Sequence, residues 1–272
     1  AVRALAPPLR SKVHDPAVVV LDETGAFAIS LLSGHLGGAN ALTLRLAGLF
    51  GAQPVITTAT DRSGLWAADD WARKNGCAVA EPERIKRVSG ALLAGGSLAL
   101  FSEFSIGGVW PRGLHPAACA EKAQVVLSLS DADPAGAHPL HLVPRIAVLG
   151  VGCRKVTPAG HILELLEDFL ARAQISRRAL CRECSIDLKA NEPGLLDACR
   201  VLGLPLTTYP AEALAALPGP FTPSAFVQSV TGVDNVCERA AVKGSGGALL
   251  APKYAKNGVT LALALCPFAP EF

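Results

Sequence analysis

Between residues 31 and 40 the chain reads LLSGHLGGAN, which sets Ser33, His35 and Asn40 among Gly34, Gly37 and Gly38. Glycines in such a stretch let backbone N–H groups approach a ligand closely. If a helix starts there, its positive end favours negative charge, so carboxylate or phosphate is the natural guest. A plainer reading stays open, in which the glycines only permit a tight strand-to-helix turn that His35 caps. No Gly-Lys-Ser/Thr follows and the spacing is not GxGxxG, so a nucleotide site is disfavoured. Two further stretches combine cations with turn residues: Gly152, Cys153, Arg154 and Lys155 in GVGCRK, and Asp187, Lys189 and Glu192 in SIDLKANEPG.

The elements around these residues are legible as periodicity. FAISLL, Phe27 to Leu32, is a strand-length apolar run ending at Ser33 and Gly34. Ala39, Leu42, Leu46, Leu49 and Phe50 then recur at helical spacing, which starts a helix near Gly37 or Gly38. Strands are expected at AVVVLD (17 to 22), PVITTA (54 to 59), SLALFSEF (97 to 104) and AQVVLSLS (123 to 130), with a helix at LWAADDWARKN (65 to 75). Such alternation means an α/β protein. DADPAGAHPLHLVP, residues 131 to 144, has three prolines and little periodicity, and is read as the boundary between two regions. The second region opens with the strand RIAVLGVG, a glycine turn, and a helix starting at Thr157 and Pro158 that carries Ile162, Leu165, Leu166 and Phe169. CSIDLK, the helix NEPGLLDACRVLG, the strand LTTY, a helix near Asn235 to Val242 and a hairpin at Lys256-Asn257-Gly258 follow. Arg154, Lys155 and Lys189 thus fall at strand ends, where α/β sheets bind ligands.

With 272 residues, half of them hydrophobic, the chain can bury a large core. The net charge of +2 and the lack of a basic run argue against a nucleic-acid groove. No apolar run reaches the roughly 18 to 20 residues that cross a bilayer, and no signal sequence opens the chain, so the cytoplasm is expected. Eight scattered cysteines fit reduced thiols. Cys181 and Cys184 form the only CxxC; a redox or metal role and a buried β position are both open for them. With no methionine, and with AVRALAPPL reading as part of an ongoing element, the chain is expected to lack its natural start.

LLSGHLGGAN followed by PVITTATD, LHLVPR, GVGCRK, SIDLKANEPGLL and TGVDNVCERAA resembles, in order and over nearly the whole chain, the CbiG family of cobalt-precorrin-5A hydrolases of anaerobic cobalamin biosynthesis. The resemblance implies N-terminal and middle α/β parts, residues 1–63 and 64–144, followed by a C-terminal three-layer α/β domain, 145–272. It implies a hydrolase acting on a carbon–carbon bond, which opens the ring A δ-lactone of cobalt-precorrin-5A with loss of acetaldehyde and gives cobalt-precorrin-5B. The alternative is a non-catalytic carrier of corrinoid intermediates. A corrinoid, with neighbouring cobalamin-pathway enzymes, would be the partner. No cofactor or metal ligand set is expected, because cobalt arrives within the substrate.

Opening a lactone needs a base, donors for the oxyanion and an acid for the leaving oxygen. His35 is the candidate base because imidazole titrates near neutrality, and a purely structural role is the alternative. Asp61 could orient His35 or cap a helix, and Ser33 is the weaker candidate for a nucleophile. Gly34, Gly37, Gly38, Asn40, Thr57 and Thr58 are expected to line the substrate in the first region, with the N–H groups of Gly37 and Gly38 as oxyanion donors. Gly152, Cys153, Arg154, Lys155, Asp187, Lys189 and Glu192 do so in the second. Cys153 could have a lowered pKa or be merely buried. Glu238, on a helix, reads as a solvated or salt-bridged face.

Overall fold

In the computed structural model, residues 2–10, 15–34, 37–57, 64–133 and 136–272 are described. The chain forms two compact units. Unit 1 comprises residues 1–128, 133–142 and 270–272, and unit 2 comprises 129–132 and 143–269.

Unit 1 begins with a short helix, α1 (Val2–Leu5), and the antiparallel pair β1 (Val18–Leu21) and β2 (Phe27–Leu32). Helix α2 (Ala39–Phe50) then crosses over to β3 (Gln53–Val55), which lies parallel to β2 with Ile29 opposite Val55. The strand expected over 54–59 is Gln53–Val55, with Ile56 and Thr57 outside it and residues 58 and 59 outside the described residues. The leucines that marked α2 as a helix are not its buried face. Ala39, Thr43 and Ala47 are buried, while Leu49 and Phe50 are 76% and 61% exposed. Small side chains let α2 sit close on the sheet, where Ala47 and Ala52 pack with Ala28.

The rest of unit 1 carries α3 (Ala68–Lys74), β4 (Cys77–Val79), α4 (Ile85–Leu93), β5 (Leu98–Ser102), β6 (Leu114–Pro116), β7 (Val125–Leu127) and β8 (Leu140–Pro144). These strands form a sheet in the order β4-β8-β7-β5-β6. The stretch 131–144, read as a boundary, ends in strand β8, whose five residues are all buried and which pairs in parallel with β7; the chain passes from unit 1 to unit 2 between residues 142 and 143. A strand covered on both faces shows no alternation, so LHLVP carried no strand period.

Unit 2 is built on one sheet in the order β11-β10-β9-β13-β12, from β9 (Ala147–Cys153), β10 (Leu180–Ile186), β11 (Leu206–Tyr209), β12 (Leu249–Lys256) and β13 (Val259–Leu265). Strands β9, β10 and β11 are parallel, and β13 runs antiparallel to β9 and β12. Its helices are α5 (Ala159–Ala173), α6 (Pro193–Leu202), α7 (Ala211–Ala215), α8 (Ala225–Thr231) and α9 (Cys237–Ser245). Adjacent residues of β10 identify the layers, since neighbouring side chains point to opposite faces. Cys199 of α6 hydrogen-bonds Glu183, whereas Cys184 packs with Ala240 of α9, so helices cover both faces and the unit has three layers. Gly150 permits a close approach of α9 to β9: a Cβ there would lie 1.8 Å from the Cys237 carbonyl oxygen.

Candidate functional site

In unit 1 the described candidates gather at one edge of the small sheet. Strands β2 and β3 are parallel, so Ser33 and Thr57 follow them at the same edge. Ser33, at φ 56, donates its hydroxyl to the Asp15 carbonyl at 2.7 Å and is 8% exposed, which does not suit a free nucleophile. The Ser33 carbonyl accepts from Ala39 N–H at 3.1 Å, closing the turn onto the start of α2. Gly38 takes φ 82 immediately before the helix. Gly34 and Gly37 are sites of close approach: a Cβ on Gly34 would meet Asn40 Oδ1 at 2.8 Å, and one on Gly37 would meet Ser33 Cβ at 2.4 Å. Asn40 is buried and accepts the Ser30 hydroxyl at 2.6 Å. His35, Thr58 and Asp61 lie outside the described residues.

In unit 2 the candidates gather at the carboxyl edge of the parallel strands, where a doubly covered sheet leaves room for a ligand. β9 ends at Cys153 and β10 at Ile186, and the turns that follow bring Arg154, Lys155, Asp187, Lys189 and Glu192 to that edge. The β12–β13 hairpin reaches it too, because Val259 lies opposite Cys153. Arg154 N–H donates to the Gly258 carbonyl at 3.1 Å, and the arginine stem lies over Gly258, where a Cβ would come within 2.8 Å of Arg154 Cδ. Gly194 brings α6 against the same turn, since a Cβ there would lie 1.8 Å from the Thr157 carbonyl oxygen. Gly152 meets the flank of this edge, where a Cβ would lie 2.5 Å from Thr260 Oγ1.

The charges at this edge divide into two sets. Arg154 and Lys155 are exposed. Lys189 is instead committed internally: its ammonium lies 2.9 Å from Glu192 Oε2, and their side chains are 13% and 8% exposed. Glu192 Oε1 accepts the Val156 N–H at 2.5 Å. Burial pushes the Glu192 carboxyl upward, but Lys189 and the N–H groups of Val156 and Thr157 outweigh it and hold the group below the usual carboxylate range. Cys153 shows no activation. Burial raises its thiol pKa, and the approach of Lys189 does not reverse this. The CxxC thiols occupy β positions, Cys184 fully buried and Cys181 donating to the Ala147 carbonyl at 3.4 Å.

Glu238 overturns its expected place on a solvated face. It is fully buried, and its carboxylate accepts from Thr222 N and Oγ1, Asn235 Nδ2 and Lys253 N at 2.6 to 2.9 Å. Val156 escaped the sequence reading altogether. It is 85% exposed with φ 60, and no property of a valine in GCRKVTP announces a left-handed backbone. Gly194 had a faint signal in the Glu-Pro-Gly opening of a helix, where a glycine lowers helix propensity without ending the helix.

Among the described residues no helix is long and apolar enough to cross a membrane, and no group of three or more His, Cys, Asp or Glu could hold a metal ion. Known proteins match the chain throughout. It is 38% identical to the cobalt-precorrin-5A hydrolase of Salmonella typhimurium, over 97% of this chain and 78% of that protein. It is 32% identical to the protein of the same name from Priestia megaterium, over 98% and 76%. Protein CobE of a Sinorhizobium species is 35% identical over 48% of this chain and 88% of its own length. Family models match in succession, as cobalamin synthesis G N-terminal over residues 1–61, cobalamin biosynthesis central region over 66–144 and cobalamin synthesis G C-terminus over 147–264. The chain belongs to the CbiG family.

Proposed function

We propose that this chain is a cobalt-precorrin-5A hydrolase, which opens the ring A δ-lactone of its substrate, releases acetaldehyde and leaves cobalt-precorrin-5B. The observation that carries the reading is the 38% and 32% identity, over nearly the whole chain, to two proteins of that name. The chemistry of the two sheet edges supports it. A corrinoid presents peripheral carboxylates around an apolar macrocycle, and the unit 2 edge exposes Arg154 and Lys155 together with Leu188, which is 66% exposed. His35 is the proposed base for water attack, with Asp61 to orient it and the glycine turn to receive the oxyanion. Ser33, with its hydroxyl on the Asp15 carbonyl, fits a turn-fixing role better than attack on the lactone. Cobalt is carried by the substrate in this reading.

Incubation with cobalt-precorrin-5A should release acetaldehyde, and no release above a no-protein control would overturn the proposal. His35→Ala should slow release by roughly 100- to 10,000-fold with little change in corrinoid affinity, the usual range for loss of a general base.

A second reading, a non-catalytic carrier of corrinoid intermediates, is favoured by one observation. CobE is matched over 88% of its own length but over only 48% of this chain, so about half of this chain has a relative of little more than that half's length. Corrinoid binding that survives His35→Ala and Ser33→Ala, with no turnover in the parent, would support the carrier.

A further inference from the structure

In the turn after β9, backbone N–H groups converge on a carboxylate that the protein itself supplies. Glu192 Oε1 accepts from Val156 N–H at 2.5 Å, the Thr157 N–H also faces this carboxylate, and Lys189 neutralises it at 2.9 Å. Val156 is the residue under tension. A β-branched side chain at φ 60 crowds its own backbone, and valine rarely takes this conformation unaided. With 85% of the residue exposed, side-chain packing does not hold it there. Arg154 N–H on the Gly258 carbonyl fixes the start of the turn, and the Thr157 hydroxyl donates across it to the Arg154 carbonyl at 2.8 Å, but neither bond engages the Val156 N–H. From these contacts we infer that Glu192 is a positioning residue, which holds the Arg154–Thr157 turn in a left-handed form that presents Arg154 and Lys155 outward to a ligand's carboxylates. Lys189 keeps Glu192 charged and therefore a strong acceptor. The ligand's class rests on the corrinoid reading above, whereas the holding of the turn does not.

The test uses Glu192→Ala, Val156→Gly and the double variant of the whole chain. Glycine adopts positive φ without strain, so it should relieve the need for Glu192. Without ligand, Glu192→Ala should speed hydrogen exchange of the Val156 and Thr157 amides by about tenfold or more, the order expected when a left-handed non-glycine residue loses its support. Binding of cobyrinic acid, a corrinoid with free acetate and propionate side chains, should weaken by a similar factor of about ten. Val156→Gly alone should bind as the parent does, and the double variant should recover most of the lost affinity. If Glu192→Ala does not fold, Glu192→Gln serves in its place, with a smaller loss that Val156→Gly again restores. A double variant as weak as Glu192→Ala would overturn the inference, as would unchanged amide exchange. The expected exchange pattern in a parent that binds no cobyrinic acid would support the positioning role and strike the corrinoid reading instead.

Discussion

Arg154 and Lys155 are the exposed cations of the unit 2 turn, and their worth is electrostatic. Arg154→Ala and Lys155→Ala should each weaken corrinoid binding, more at low than at high salt, while leaving the rate of bound substrate nearly unchanged; titrations at two ionic strengths check this. Buried carboxylates behave differently. Glu238 holds four donors and contains no hydrogen to give, so Glu238→Gln would aim an amide nitrogen at two of them. The expected loss is about 2 to 3 kcal/mol in urea unfolding, as for a hydrogen-bonded charged group. Glu183 is the opposite case. It is fully buried and, among the described residues, accepts only the Cys199 thiol at 3.1 Å and leaves Oε1 without a partner. Burial pushes its carboxyl up to about 7 from an ordinary 4.5, with the thiol opposing weakly. In the unfolded chain the group ionises from pH 4.5 upward while the folded protein keeps it protonated, so it lowers stability progressively between pH 4.5 and 7. Glu183→Gln should therefore match the parent at pH 4 and exceed it above pH 7 by about 3 kcal/mol, measured as unfolding free energy at the two pH values.

At the scale of elements, two glycines separate architecture from binding. Ala at 150 would drive α9 from β9, and Ala at 194 would drive the first turn of α6 from the Thr157 carbonyl. Both should destabilise by about 2 kcal/mol or more, as overpacking against backbone does. Only Gly194→Ala should also impair corrinoid binding, because only it disturbs the Arg154–Thr157 turn; comparing unfolding midpoints with affinities distinguishes the two. Elements that bury one face were readable in the sequence. α5 shows it: Ile162, Leu165, Leu166 and Phe169 were expected to point inward and all four are buried. The same rule failed where burial is two-sided, as in β8, or where contact is made by small residues, as in α2. At the candidate site, the turns were legible because strand ends and glycines mark them. The partners within the turns were not. Whether Glu192 meets a ligand or the Val156 N–H, and whether Glu238 meets water or the donors of Thr222 and Lys253, depends on chain segments far apart in sequence.

The whole molecule is threaded in a way that neither unit shows by itself. Its last three residues belong to unit 1, where the Pro270 carbonyl accepts from Gly107 N–H at 2.8 Å and Phe272 N–H donates to the Gly107 carbonyl at 3.1 Å. The Phe272 ring sits 4.7 Å from Trp110 and 5.8 Å from Trp71 between ring centroids. All three tryptophans, Trp66, Trp71 and Trp110, lie in unit 1, and both tyrosines, Tyr209 and Tyr254, lie in unit 2. Tryptophan fluorescence therefore reports unit 1 alone. Phe272→Ala should change that emission and lower the denaturation midpoint it follows, by about 1 kcal/mol in stability, the order of an aromatic pair. A midpoint equal to the parent's would show that the ring adds nothing. The tail also sets a timetable on the ribosome. Domains commonly fold in the order they are synthesised, N-terminal first. Here the nascent chain must hold the Gly107 and Trp110 surface open through translation of all of unit 2, so the first unit begun is the last one finished.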